Sequence, residues 1–168
     1  MIKVVSQLIY ALTLLLLCSC STASPPKPIE SNNALNNRSA GCGIPQNGTD
    51  SFVTSKINVQ NQDRTYHLRI PSSYDPNRAY PIIFLWHGAG GNGLSGGLNI
   101  EYSAGNDAII VSADGLNSFW QVHTDSVDLR LFDSLLETIS SQYCIDDKRI
   151  FSYGFSAGGS FSHLLACT

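Results

Sequence analysis

The 168-residue chain has little charge: 14% of its residues are Asp, Glu, Lys or Arg, 10 basic against 13 acidic, for a formal net charge of -3. It contains no basic run interleaved with aromatics, so the electrostatic footprint of a nucleic-acid binder is missing and no nucleic-acid partner is expected. Metal-ligand spacing and a nucleotide-binding loop are also missing, so neither a metal nor a cofactor is expected. No apolar run is long enough to span a bilayer comfortably. What the chain does have is a 43% hydrophobic composition. That is enough to build one domain with a real core, and the length is too short for two sizeable ones.

The stretch that carries chemistry is Arg149–Cys167, centred on Gly154-Phe155-Ser156-Ala157-Gly158. Ile150 to Tyr153 is a β-prone run, and Ala157, Phe161, Leu164 and Leu165 recur at helical spacing. Strand, sharp turn and helix therefore follow in order, which is the setting of a G-x-S-x-G nucleophile elbow. A serine hydroxyl is a poor nucleophile at neutral pH and must stand exposed on a strained turn where a base can reach it. Ser156 is thus the candidate nucleophile. The helix that follows aims its N-terminus, and the Ala157 N–H, at the place where an oxyanion would develop. A strand ending in a Gly/Ser-rich loop is the competing reading of the same residues.

Met1 to Cys20 has the pattern of an export signal, with Lys3 in a positive n-region and Leu8 to Leu17 as the apolar segment. Leu17-Cys18-Ser19-Cys20 has the form of a bacterial lipobox, which makes Cys20 the lipidated residue of the mature N-terminus and gives the protein a membrane anchor. Ordinary signal cleavage near Ala23 is the alternative, with a secreted product. Both leave the mature protein outside the cytoplasm, at the outer membrane or cell surface if lipidated, where disulfides are permitted. Ser21 to Ala40, rich in Ser, Pro and Asn, is expected to be a disordered tether. The sequons at Asn37 and Asn47 are read as coincidence. The globular part is expected to occupy residues 41–168.

Within it, Ile57 and Val59, then Tyr66, Leu68 and Ile70, alternate about Asn61-Gln62-Asp63, an antiparallel hairpin. Tyr80 to Trp86 and Asp107 to Ala113 read as buried parallel strands, with a weakly helical, glycine-containing stretch from Gly93 to Ala104 between them. Asp125 is the expected N-cap of a helix whose apolar stripe is Phe132, Leu135, Leu136 and Ile139, with Asp128 in its first turn. Alternating strands and helices behind a hairpin argue for an α/β fold with a mostly parallel sheet.

His87-Gly88-Ala89-Gly90-Gly91 forms a second chemical signal. A glycine-rich turn directly after a central strand can supply the second N–H that a tetrahedral intermediate needs, expected from Ala89. His87 is read as a structural residue that shapes the turn, not as the general base.

Four runs together resemble the feruloyl esterase and polyhydroxybutyrate depolymerase group of secreted α/β-hydrolases. They are S-A-G-C-G at Ser39, R-T-Y-H-L-R-I-P at Arg64, Y-P-I-I-F-L-W-H-G-A-G-G at Tyr80 and Y-C-I-D-D-K-R-I-F-S-Y-G-F-S-A-G-G at Tyr143. The resemblance implies an α/β-hydrolase fold and a serine esterase, with Ser156 as nucleophile and Ala157 and Ala89 as backbone oxyanion donors. It further implies a Cys144–Cys167 disulfide bracing the elbow, and Trp120 with Gln121 in a loop that lines the substrate cleft, a core or loop-anchoring tryptophan being the equal alternative for Trp120. Asp128 matches an acidic residue at a helix start and is read as structural.

The chain departs from the family pattern after Ser156. The triad of these hydrolases runs Ser, then Asp or Glu, then His. Here the residues after Ser156 include no carboxylate and one histidine, His163, on the elbow's own helix. Seven residues along a helix is two turns, about 10 Å, too far to serve as base. We therefore read the chain as the N-terminal part, about two thirds, of an esterase of this fold. The sheet is expected to stop at its fifth strand, and Cys42 is expected to pair beyond the chain's end. The expected activity of the whole is hydrolysis of feruloyl or acetyl esters of plant cell-wall polysaccharide, with these residues alone nearly inactive. The alternatives are a polyhydroxyalkanoate depolymerase or other serine hydrolase, and a non-catalytic polysaccharide-binding lipoprotein.

Overall fold

The computed structural model describes residues 37–49, 51–95 and 99–168. The export signal, most of the tether and the lipidation site at Cys20 lie outside the described residues. Among those described, no helix is long and apolar enough to cross a membrane.

The hairpin forms from β1 (Val53–Val59) and β2 (Gln62–Arg69). Its turn is Gln60-Asn61, one residue earlier than expected. Both residues adopt positive φ, 52° and 63°, the backbone that a two-residue hairpin turn matching the strand twist requires. Next come β3 (Tyr80–Trp86), the short helix α1 (Ile100–Ala104) and β4 (Ile109–Ala113). Then follow α2 (Val127–Gln142), β5 (Ile145–Gly154) and α3 (Ala157–Ala166). The five-stranded sheet has the order β1-β2-β4-β3-β5. β4, β3 and β5 run parallel, and the hairpin adds antiparallel to β4.

Every residue of β4 and five of the seven in β3 are buried, as the continuous apolar runs require of central strands. α2 lays Leu131, Leu135 and Ile139 into the core, with Phe132 and Leu136 packed at its margin. Its cap is Ser126, whose Oγ accepts from the Leu129 N–H at 3.2 Å. Asp125, the expected cap, instead stands one residue outside with φ 66°. Asp128 is wholly buried because Arg64 of β2 reaches it with a 2.7 Å ion pair. Beneath the elbow, Trp86, Trp120 and Phe161 pack ring on ring, with centroids 4.9–5.3 Å apart, geometry that aromatic pairs favour.

At the other flank β5 is the edge of the described sheet. Its Phe151 is 52% exposed and its Tyr153 37%, the open hydrophobic edge read from the sequence.

The expected Cys144–Cys167 bridge is not the one that forms. Cys144 is joined to Cys42, 102 residues away. The cause is the path of the chain before β1. Ser39 N–H donates to Ile145 O, Gly41 N–H to Ser140 O, and Ser39 Oγ to Tyr143 O. These bonds lay Cys42 beside Cys144, while Cys167 sits at the C-cap of α3. Cys42 therefore has its partner inside this chain, not beyond its end.

Candidate active site

The parallel strands end in register: Trp86 lies opposite Ala113 on one side and Gly154 on the other. The turns leaving β3, β4 and β5 therefore open at one edge of the sheet, where open α/β sheets place their sites. Ser156 leaves β5 with φ 53° and ψ -120°, a conformation that costs a non-glycine residue about 1–3 kcal/mol. Serine at a helix N-cap ordinarily spends its hydroxyl on capping. Here the side chain makes no such bond, so the exposed hydroxyl is left available for chemistry.

Backbone proximity explains the elbow's composition. Phe155 N–H donates to Trp86 O at 3.3 Å, which ties the turn to the end of β3. A Cβ on Gly158 would overlap the Trp86 carbonyl, and one on Gly154 would overlap the Gly158 carbonyl. Only glycine lets helix and strand approach this closely.

The glycine turn after β3 lies against the elbow. A Cβ built on Gly88 would stand 3.5 Å from Ser156 Cβ and 3.2 Å from the Phe155 ring. Ala89 is exposed beside it, and Ala157 is the first residue of α3, where helix N–H groups have no intrahelical partner. Gly158 N–H turns back to Phe155 O at 2.9 Å, and Gly90 and Gly91 N–H donate to Ser118 O and Gly88 O. Among the described residues, no group accepts from the Ala89 or Ala157 N–H. Ala157 directly follows Ser156 in the chain, and Ala89 directly follows the Gly88 that packs against Ser156.

His87 is buried, and its tautomer follows from its partners. Gly115 N–H can only donate to Nε2, at 2.9 Å, so the proton is on Nδ1, which donates to Gly88 O at 2.7 Å. Both ring nitrogens are committed to shaping the turn. His163 is exposed in the last turn of α3, and His123 contacts Thr124 O in an exposed loop. No described histidine is hydrogen-bonded to Ser156.

Trp120 is 1% exposed, which favours the loop-anchoring alternative over a place in the substrate cleft. Its Nε1–H donates to His87 O at 2.8 Å and its ring stacks on Phe161. It braces the glycine turn from below. Gln121 is exposed, and its backbone N–H donates to Asp128 Oδ2 at 2.7 Å. The groups that sequence reasoning missed support the turn: Ser112, Asp114, Ser118 and His67. The available signal was the position of the first three, at the exit of the strand neighbouring β3. Among the described residues, no group of three or more His, Cys, Asp or Glu side chains could hold a metal ion.

A serine on a strained strand–turn–helix elbow, facing a glycine-rich turn at the ends of parallel strands, defines the α/β-hydrolase class. The solved structures agree on the fold. A thermostable esterase superposes with a TM-score of 0.56 at 19% identity, covering 70% of this chain and 38% of that one. A ferulic acid esterase superposes at 0.52 and 19% identity, covering 65% and 52%. No family model matches the chain. Feruloyl esterase D of Neurospora crassa is 37% identical over 145 residues, 77% of this chain and 49% of that protein. The probable feruloyl esterase C of Aspergillus niger is 35% identical over 138 residues, 77% and 48%. Over the residues that align, the chain is similar to the feruloyl esterase group. It spans about half the length of the curated relatives it matches, not the two thirds expected.

Proposed function

We propose that this chain carries the nucleophile of an exported serine carboxylic ester hydrolase that acts on feruloyl or acetyl esters of plant cell-wall polysaccharide. The observation that supports this best is Ser156, held at φ 53° with its hydroxyl uncapped and the Gly88–Ala89 turn packed beside it. The names of the relatives favour the aromatic ester.

Ser156 Oγ attacks the ester carbonyl and gives its proton to a histidine. The oxyanion accepts from the Ala157 and Ala89 N–H groups. Collapse expels the polysaccharide hydroxyl, which takes that proton back, and water then releases the acid from the acyl-enzyme. The histidine and the carboxylate that orients it belong to the part of the relatives' length that this chain does not span. Residues 1–20 are a lipoprotein leader, with Cys20 carrying the lipid, and the tether that follows ends before Arg38, because Arg38 and Ser39 already pair with Asp146, Tyr143 and Ile145 of the hydrolase part.

The test is hydrolysis of methyl ferulate and feruloylated arabinoxylan by the full-length gene product. Ser156→Ala is expected to lower kcat by about a million-fold, the scale of losing a triad nucleophile. The activity is expected to sediment with membranes and to become soluble in Cys20→Ala. Turnover that survives Ser156→Ala overturns the reading of the site, and activity that never sediments overturns the anchor.

A further inference from the structure

The glycine-rich loop from Gly88 to Ser95 carries the Ala89 N–H, and its own side-chain bonds, from Asn92 and Ser95, close only its far end on itself. Its anchors come from the turn that leaves β4. Gly115 N–H donates to His87 Nε2, Ser118 O accepts from Gly90 N–H, and Trp120 Nε1–H donates to His87 O. The far end of the loop is fixed at Gly93, which is buried and held at both backbone groups. Its N–H donates to Asp114 Oδ1 at 2.7 Å, and its carbonyl accepts from Ser112 Oγ at 2.6 Å. A Cβ at this position would overlap the His67 ring, so no other residue can enter the clasp.

Asp114 is itself oriented. The same Oδ1 lies 3.2 Å from Nε2 of His67, which is buried, and His67 Nδ1 lies 2.9 Å from Thr54 Oγ1. An ionised carboxylate only accepts, so Nε2 carries the proton and Nδ1 accepts from the threonine hydroxyl. This hydroxyl–imidazole–carboxylate array has the connectivity of a triad. Thr54, however, sits on a regular ladder position opposite His67, not on a strained turn, and the carboxylate's other bond goes to the loop.

We propose that Asp114, oriented by His67, is a positioning residue that clamps the Gly88–Ser95 loop through Gly93 and so keeps the Ala89 N–H aligned with Ser156. It acts through the loop and touches no substrate. This rests on the esterase reading of Ser156. An oxyanion donor works only when it is already aimed at the place where charge develops, and loss of one such donor costs about 100- to 1,000-fold in kcat. A loosened loop retains the donor but misaims it part of the time.

The test uses the full-length enzyme with methyl ferulate. Asp114→Ala is expected to lower kcat by about 10- to 100-fold, with KM within about twofold. Asp114→Asn, which keeps an acceptor oxygen for Gly93 N–H, is expected to recover most of that loss. Ser112→Ala removes the second tether at little cost in volume and is expected to lower kcat by a smaller factor. Amide hydrogen exchange should rise over residues 87–95 in Asp114→Ala and stay unchanged over α2. If Asp114→Ala does not fold, Ser112→Ala and Asp114→Asn carry the kinetic and exchange tests by themselves. Parent-like kcat and exchange in the folded variants overturn the proposal, and so does an Asp114→Asn enzyme as slow as the alanine variant. Failure of the esterase reading looks different: the parent enzyme is then inactive on the ester, or Ser156→Ala remains active.

Discussion

The two turns that meet at Ser156 are held by opposite means. The elbow is held by main chain. Phe155 N–H bonds the Trp86 carbonyl, and Gly158 lies directly against it. The glycine turn is held mainly by side chains from two strands and from the segments that leave β3 and β4, His67, His87, Ser112, Asp114 and Trp120 among them. A turn built from backbone contact leaves a local signature, because the glycines it needs must be adjacent in sequence. One built from remote hydrogen bonds leaves its signature scattered, and it fails whenever any distant part of that scaffold is disturbed.

The sharpest break on the side-chain side is Asp128→Ala. Asp128 is wholly buried and bonds both Arg64 and Gln121 N–H, while Arg64 also donates to Asp114 O at 3.0 Å. Removing the carboxylate leaves a buried guanidinium uncompensated, a loss of about 3–5 kcal/mol. It also releases both ends of the Asp114–Gln121 segment. The expected result in the full-length protein is a fall in the chemical-denaturation free energy of that size, with faster hydrogen exchange over residues 87–95. An intact loop after such a loss would show that the glycine turn does not depend on this scaffold.

The matching break on the elbow side is Cys42→Ser. The disulfide pins Cys144, next to the start of β5, and the elbow lies at that strand's other end. Removing a native disulfide of this kind is expected to cost about 2–5 kcal/mol. Because the elbow's shape comes from contacts with Trp86, kcat should stay within about twofold of the parent at a temperature where both are folded. A large loss of kcat with folding intact would mean that the covalent tether, and not backbone packing, sets the angle of Ser156.

How much was legible follows the same division. Period-two alternation located the hairpin, continuous apolar runs located β3 and β4, and G-x-S-x-G located the elbow. The misses lie where tertiary contact decides. The N-cap moved from Asp125 to Ser126, a choice between adjacent residues of similar capping strength. Cys144 took Cys42 because the Ser39–Gly41 segment is hydrogen-bonded to Ser140, Tyr143 and Ile145, pairings across about 100 residues that no local pattern announces. Trp120, read as either a face of the cleft or a loop anchor, is a buried brace. Asp114 carried no motif at all, and its importance appears only when Gly93 and His67 come within hydrogen-bonding range of one carboxylate oxygen.

The smallest expected effect probes the aromatic packing at the start of β5. Burial pushes the Tyr143 phenol above its ordinary value of 10.0, with the neighbouring Tyr66 and Tyr74 adding to the shift. Tyr74 is raised for the same first reason, partly offset by the bond its oxygen accepts from Cys144 N–H. A phenol whose folded value is raised keeps its proton better in the folded state. Its contribution to stability is therefore complete below pH 10 and is lost as pH rises through the raised value. Tyr143→Phe removes one such group and leaves the hydrogen bonds of the strand start in place, since the bonds at this residue run through its backbone. The variant is expected to match the parent at pH 7 within about 0.5 kcal/mol and to lose stability less steeply above pH 10. The check is a series of denaturation midpoints from pH 7 to 11. Parallel curves for the two proteins would mean that alkaline unfolding starts elsewhere, and that the packing beside the disulfide tolerates a phenolate.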